Sequence, residues 1–220
     1  MGDALIDQLV HSPRLEMYMT RLNSVLADER ERRHRFYDEM DESIKQEFIN
    51  GEVVVHSPTK LRHVEVRDAL LMLLKSYVSN RQLGKVGSEK MLVSLTRNDY
   101  EPDICYFGVA KASRFKPHQM QFPAPDLVVE VLSPSTEKVD RGVKFDDYAA
   151  HGVREYWIID PDAEVLEQYV LANDAYELRL KMNSGLLRSE VVPGFEIPVR
   201  AIFEERENLA ALRRILDHIS

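Results

Sequence analysis

The sequence predicts a mixed α/β (α+β) domain in which a central β-sheet is flanked by helices. Two observations support this class. Short apolar runs of strand composition, such as residues 127–132, are interspersed with longer segments of helical periodicity, such as residues 60–80. The last third of the chain then changes to successive strand patterns at 165–170, 176–181 and 186–191, which predict C-terminal antiparallel strands.

The composition is that of a globular protein: 44% of the 220 residues are hydrophobic and 30% are charged. No segment approaches the roughly 18 apolar residues that span a bilayer. The first residues show no basic leader followed by an apolar run. Cys105 is the single cysteine, so an internal disulfide is excluded. We therefore expect a cytoplasmic protein with no membrane partner.

The net charge of −8 argues against tight, non-specific DNA binding, which depends on lysines and arginines that neutralise phosphates. A local basic groove can still lie on an acidic protein. The charge therefore leaves open a brief, metal-assisted contact with nucleic acid.

Residues 1–47 predict an N-terminal helical arm, and residues 48–220 predict the main domain. The segment 26–48 has helix formers, charges of both signs and no glycine or proline, with a break expected near Asp41. We expect the arm to pack on the domain or on a neighbouring chain. Its arginines could contact phosphates, but the interleaved acids favour a solvated helix.

The first half of the domain begins with a tight turn at Asn50–Gly51 before a strand at 52–56. A helix is predicted from Lys60 to Asn80 on the spacing of its apolar residues, followed by strands at 90–95 and 101–109. The apolar stripe of the helix consists of Val66, Leu70, Leu73, Leu74 and Tyr77.

In the second half, a turn at 133–136 leads into a helix from Glu137 to His151 that ends at Gly152. Gly142 lies inside this helix and weakens the prediction. A short buried strand at 155–159 and a closing helix at 208–219 complete the pattern.

Two acidic residues carry the strongest chemical signal. Glu130 lies inside a run whose two faces are both expected to be buried, so its carboxylate must be ion-paired, protonated or bound to metal. Asp103 follows Pro102 at the start of another apolar strand, where a simple turn aspartate is the alternative. Together the two carboxylates supply the hard oxygen ligands that Mg²⁺ prefers.

Lys144 lies on the helix that follows the strand of Glu130. Arg141, Lys144 and Tyr148 are spaced three and then four residues apart, so they share one helical face. A lysine near the two acids can hold an attacking water or stabilise negative charge on a phosphate. The alternative is an ordinary i,i+4 ion pair with Asp140.

At this point the sequence resembles the Uma-two family of endonucleases, within the PD-(D/E)XK superfamily. The resemblance covers roughly residues 48–202. It rests on four motifs: Glu101–Phe107, Pro125–Thr136, Asp140–Lys144 and Tyr148–Pro161.

The resemblance implies a restriction-endonuclease-like core, with a central mixed sheet flanked by helices. It implies that Asp103 and Glu130, together with the backbone carbonyl of Val131, hold Mg²⁺ or Mn²⁺. The superfamily lysine usually lies two residues after the second acid, where this chain has Leu132. The resemblance therefore makes Lys144 the catalytic lysine.

Further site residues are expected on the same grounds. Glu52 is expected to line the same pocket as an accessory acid, although it could equally belong to the polar edge of a hairpin. The residues expected to contact substrate are Lys60, Arg62, His63 and Arg141. His63 has the alternative of a surface or capping role in the first turn of its helix.

The expected activity is metal-dependent hydrolysis of phosphodiester bonds in DNA, with transient substrate binding. Two alternatives remain open at this point: a catalytically silent binding or regulatory module, and a hydrolase of small phosphoesters. An open groove lined by Lys60, Arg62 and Lys144 favours a nucleic acid strand, whereas a closed pocket favours a small molecule. A homodimer is a further expectation, by analogy with nucleases that cut two strands.

Overall fold

A computed structural model describes residues 2–41 and 43–217. Within that part of the chain, helices and short strands alternate as the sequence predicts. The helices are α1 (Gly2–Val10), α2 (Leu15–Glu39), α3 (Leu61–Asn80), α4 (Val109–Ala112), α5 (Glu137–Asp140), α6 (Val143–Ala150) and α7 (Glu205–Asp217), and a 3₁₀ turn covers Val199–Ile202.

The strands are short, and most of them pair with antiparallel neighbours. They are β1 (Gln46–Ile49), β2 (Glu52–Val55), β3 (Gly84–Ser88), β4 (Leu92–Ser94), β5 (Asp99–Tyr100), β6 (Ile104–Gly108), β7 (Gln121–Phe122), β8 (Leu127–Val131), β9 (Glu155–Asp160), β10 (Val165–Ala172), β11 (Ala175–Met182), β12 (Leu186–Arg188) and β13 (Glu196–Pro198).

Two larger sheets and one small one organise these strands. The six-stranded sheet has the order β11-β10-β9-β8-β6-β3, and the five-stranded sheet has the order β2-β1-β5-β4-β7. β8 and β9 are parallel, whereas β6 and β8 are antiparallel. This confirms the predicted mixed sheet. β9, β10 and β11 form an antiparallel meander. β12 does not extend this meander but pairs with β13 in a separate two-stranded sheet.

Alternate residues of a strand point to opposite faces, and both faces are buried along the central strands β8 and β9. On one face, Val129 and Trp157 pack with the apolar stripe of α3. On the other, Val128 and Ile158 pack with Tyr148 of α6. Glu130 lies two residues after Val128, so its side chain points to the α6 face.

The hairpin predicted at Asn50–Gly51 is confirmed. Asn50 has φ +51° and Gly51 has φ +86°, the left-handed values of a two-residue turn that joins antiparallel strands. The pairs Glu47–Val54 and Ile49–Glu52 fix the register. This register places Glu47 and Glu52 on the same face of the hairpin. They differ in strand position, because β1 is an inner strand and β2 is the edge strand.

The predicted helix from Glu137 to His151 is wrong in one respect, because it is interrupted at Gly142. Gly142 adopts φ −118° and ψ −103° between α5 and α6. A Cβ atom at this position would lie 2.7 Å from the carbonyl oxygen of Lys138. The interruption divides the predicted helix into α5 and α6.

The helix predicted across residues 26–48 also needs correction, since α2 ends at Glu39 and Gln46–Ile49 forms β1. Phe48 and Ile49 are buried there as strand residues. Among the helices of residues 2–41 and 43–217, none has the length and apolarity to cross a bilayer.

Candidate active site

Asp103 and Glu130 meet at one end of the β6–β8 pair. The antiparallel register places Ile104 opposite Val129. Asp103, which precedes Ile104, therefore lies opposite Glu130, which follows Val129. The backbone N–H of Asp103 donates to Oε2 of Glu130 at 3.4 Å. The backbone N–H of Val131 donates to Oδ2 of Asp103 at 2.8 Å. Two acids that are 27 positions apart in sequence thus share one hydrogen-bonded corner of the sheet.

Two lysines contact this acid pair from different elements. Lys45, directly before β1, places Nζ 3.0 Å from Oδ1 of Asp103. Lys144, on α6, places Nζ 3.1 Å from Oε1 of Glu130. The predicted proximity of Lys144 to Glu130 is therefore found in the structure. Lys45 was not identified from the sequence, because it lies outside the motifs and inside the segment interpreted as helix.

Lys144 is almost fully enclosed by carboxylates. Its Nζ lies 2.9 Å from Oε1 of Glu47 and 3.3 Å from Oδ1 of Asp140, in addition to its contact with Glu130. The expected i,i+4 pair with Asp140 is thus present, but as one of three contacts in a buried cluster. Lys144 thus joins three buried carboxyl groups.

The hairpin has two acids, Glu47 and Glu52, and the one that joins the buried cluster is Glu47. The expectation that Glu52 lines the pocket is wrong. The side chain of Glu52 is 76% exposed and pairs with Arg32 of the arm. Glu47 is fully buried; its Oε1 accepts the backbone N–H of Glu101 at 2.9 Å, and its Oε2 lies 2.9 Å from Nε2 of His56. Glu47 lies on an inner strand, because β1 is between β2 and β5, whereas Glu52 lies on the edge strand β2.

The pKa values of the two central acids move in opposite directions. Burial raises the pKa of Glu130 to about 8, and repulsion from Asp140 and Asp103 adds to this against the attraction of Lys144. Burial also opposes ionisation of Asp103, but Lys45 and His63 outweigh it and hold the pKa of Asp103 well below its usual range. Such divergence is typical of like charges in one site.

A cavity of about 500 Å³ opens over this corner. Its wall includes Asp103, Glu130, Val131 and Lys144, together with Lys45. The rim contains the turn between β8 and α5, whose hydroxyl groups are those of Ser133, Ser135 and Thr136.

The expected substrate-contacting residues divide into two groups. Lys60 and His63 line the cavity. Arg62 instead donates to the carbonyl of Pro161 and pairs with Glu164, and Arg141 pairs with Glu137 and Glu167. The expectation that Arg62 lines the groove is wrong, because neither arginine belongs to the cavity wall and neighbouring acids engage both guanidinium groups.

His63 is buried beside Asp103, with Nε2 3.5 Å from Oδ2. Within the described part of the chain, neither ring nitrogen has a partner at hydrogen-bond geometry. A buried imidazole without hydrogen bonds is costly, so the wall of the cavity retains unused hydrogen-bonding capacity.

The donor set fits a divalent cation. Asp103 and Glu130 supply carboxylate oxygens. The N–H and C=O of a residue in an extended strand point to the same side, so the Val131 carbonyl faces Asp103. No group of three or more His, Cys, Asp or Glu side chains within residues 2–41 and 43–217 is arranged to hold a metal ion, and the expected set requires only two.

The charge balance of the cluster points the same way. Four buried carboxyl groups surround two ammonium groups, and burial raises the pKa of two of these acids, Glu130 and Asp140. Among the described residues, Oδ1 of Asp140 has no partner at hydrogen-bond geometry, although Lys144 lies 3.3 Å away. The four carboxylates belong to Glu47, Asp103, Glu130 and Asp140, and the two ammonium groups to Lys45 and Lys144.

A mixed sheet flanked by helices, with paired acids and a lysine at its corner, is the architecture of a restriction-endonuclease-like fold. A solved structure described as a putative nuclease belonging to DUF820, from Anabaena variabilis, is similar to this chain in fold. It matches with a TM-score of 0.66 and 18% identity, over 80% of this chain and 96% of that one.

A model of a protein family matches most of the sequence. The Uma2 model, described as "Putative restriction endonuclease", matches residues 31–200, and the chain belongs to this family. A Synechocystis protein named "Uncharacterized protein sll1609" is 29% identical over 133 residues, which cover 59% of this chain and 74% of that protein. Family and fold together indicate a restriction-endonuclease-like nuclease.

Proposed function

We propose that this protein is a metal-dependent endonuclease that hydrolyses phosphodiester bonds in DNA. The observation that carries the proposal is the corner formed by Asp103 and Glu130, joined through the Asp103 N–H at 3.4 Å and open to the cavity. Buried acids placed beside a cavity with nearby lysines are characteristic of sites that handle phosphate charge.

The residues that would hold Mg²⁺ or Mn²⁺ are Asp103, Glu130 and the carbonyl of Val131. When bound, such an ion acts as a Lewis acid toward a phosphoryl oxygen and lowers the pKa of a coordinated water. The low pKa of Asp103 keeps that carboxylate ionised and ready to bind a cation at neutral pH.

Lys45 is the lysine that faces the substrate in this proposal. Its side chain is 20% exposed and has one acidic partner at 3.0 Å, so its remaining protons are available to a phosphate oxygen or a water. Burial opposes its charge, but Asp103 and Glu130 raise the pKa of Lys45 to about 12, so it remains a cation.

Lys144 is a positioning residue in this proposal. Its ammonium group holds Glu130 in place, while Glu47 and Asp140 occupy its other protons. This differs from the sequence-based hypothesis, in which Lys144 was the catalytic lysine. Lys60 and His63, at the cavity wall, would contact the nucleic acid.

The acidic net charge favours brief binding of DNA over a stable complex. Lys60 and Lys90 at the cavity wall supply local positive charge for a phosphate backbone.

A non-catalytic module is supported by one specific observation: the two lysines already compensate part of the charge on the acids without a metal ion. Titration with Mn²⁺ by isothermal calorimetry separates the two functions. The endonuclease proposal expects saturable binding by the wild-type chain and its loss in Asp103→Asn, with Glu52→Gln as a control that binds normally. No Mn²⁺ binding by the wild-type chain would refute the metal-dependent mechanism.

A further inference from the structure

One side of helix α2 runs along most of its length, but the domain covers only the C-terminal half of that side. Positions spaced three and four residues apart place Tyr18, Leu22, Val25 and Glu29 on one side of the helix, and the same side continues to Phe36. The C-terminal half of this side docks on the domain. The N-terminal half extends beyond it.

The docked half is held by specific contacts. Phe36 is 3% exposed, and Glu29 lies 2.6 Å from Arg97. Arg33 pairs with Asp99 at 2.5 Å and also donates to the carbonyl of Leu95. These contacts fix the direction of α2, so its first half is held away from the domain as a projecting helix.

On the side of α2 that is buried in the docked half, the projecting half carries apolar side chains. Five large side chains on this side remain exposed, among them Leu22 at 48% and Val25 at 42%. We call these residues the arm stripe: Tyr18, Met19, Leu22, Val25 and Leu26. α1 carries three further exposed apolar side chains, Leu5, Ile6 and Val10. A concentration of exposed apolar side chains of this kind marks an interaction surface.

The spacing of the stripe identifies the kind of partner. Leu15, Tyr18, Leu22 and Val25 follow the 3-4-3 spacing with which two helices of the same sequence pack against each other. Every copy of the chain presents the same stripe, so a second copy is a self-complementary partner.

Charge and area favour a second copy over a lipid surface. Residues 4–28 contain three acids and two arginines, so the arm lacks the cationic face that anionic lipids attract. Covering the exposed side chains of the arm in two copies would bury on the order of 1,000 Å² or more, the range of a specific protein–protein interface.

We propose that the arm stripe is a homodimerisation surface, on which the α1–α2 arm of a second copy of this chain packs. The surface lies on the arm, and the cavity at Asp103 lies on the domain. The proposal is therefore independent of the chemistry at the cavity.

The test is the mass of the full chain in solution, measured by light scattering coupled to size-exclusion chromatography without nucleic acid or added metal. The variant Leu22→Glu with Val25→Glu places two charges in the stripe. The matched control, Thr20→Glu with Ser24→Glu, places two charges on exposed positions of the opposite side of α2. We expect the wild type and the control at twice the chain mass of 25.5 kDa, and the stripe variant at 25.5 kDa.

Two results would overturn the proposal: a wild-type chain that stays at 25.5 kDa up to about 100 µM, or a stripe variant that keeps twice that mass. Circular dichroism checks that each variant is folded. If the double-Glu variant unfolds, Leu22→Gln with Val25→Gln weakens the same surface without charge, and retention of the doubled mass in that variant would also refute the surface.

Discussion

Lys45 and Asp103 form an ion pair of 3.0 Å at the wall of the cavity, between a residue that precedes β1 and one that precedes β6. The pair joins the two large sheets at the point where the acids meet. Lys45 keeps a fifth of its side chain exposed there, whereas the side chain of Lys144 is 2% exposed. This difference separates a lysine that can reach a substrate from one that holds the cluster together.

Replacing Lys45 should reduce activity more than stability. In Lys45→Ala we expect DNA cleavage to fall on the order of 100-fold, because a donor to the phosphate charge is lost. Mn²⁺ affinity should be retained, because Asp103 and Glu130 remain. Steady-state cleavage and calorimetry measure the two effects. Full cleavage activity in this variant would remove Lys45 from the mechanism.

Replacing Lys144 should reduce stability more than activity. In Lys144→Met we expect the free energy of unfolding to fall by about 3–5 kcal/mol, because three buried carboxylates lose their shared cation. Urea denaturation, followed by tryptophan fluorescence of Trp157, measures the change. A variant as stable as the wild type would mean that the cluster does not depend on Lys144.

Glu47 should be a structural partner of the site. Glu47→Gln removes the charge that lies 2.9 Å from Lys144 and 2.9 Å from His56. We therefore expect the free energy of unfolding to fall by about 3 kcal/mol. Glu52→Gln makes the same chemical change at the other end of the hairpin, where the side chain is exposed, and should cost less than about 0.5 kcal/mol. Equal stability of the two variants would refute the inward placement of Glu47.

Glu167 should contribute acid-sensitive stability outside the site. Burial alone would raise the pKa of Glu167, but hydrogen bonds from Arg141, Lys181 and Tyr169 outweigh it and hold the value at about 2. The stabilisation is therefore complete above the unfolded-state pKa of about 4.3 and is lost as the pH falls toward 2. Between pH 7 and pH 3, Glu167→Gln should lose less stability than the wild type. An identical pH dependence of both chains would contradict this role.

Much of the site could be predicted from the sequence where burial patterns are strong. Glu130 lies in a strand that is apolar on both faces, and such a strand can belong only to the interior of a sheet. The proximity of Asp103 followed from its place at the start of a second such strand. The proximity of Lys144 followed from the tight turn that joins the strand of Glu130 to the next helix.

Other parts depend on contacts between segments that are distant in sequence. Glu47 and Lys45 lie in a stretch with helical composition, and the pairing of β1 with β2 and β5 forms the strand there. β3 contains two glycines and little strand signal, and its pairing with β6 creates it. The choice between Glu47 and Glu52 depends on β1 being an inner strand and β2 the edge strand, which the local pattern does not contain.

The most direct test of the central claim is cleavage of supercoiled plasmid and of single-stranded DNA in Mg²⁺, Mn²⁺ or EDTA by three chains: the wild type, Glu130→Gln and Glu52→Gln. We predict cleavage by the wild type and by Glu52→Gln that requires a divalent ion, and none by Glu130→Gln. Cleavage that persists in EDTA, or that Glu130→Gln retains in full, would contradict the assignment of the Asp103–Glu130 corner as the active site.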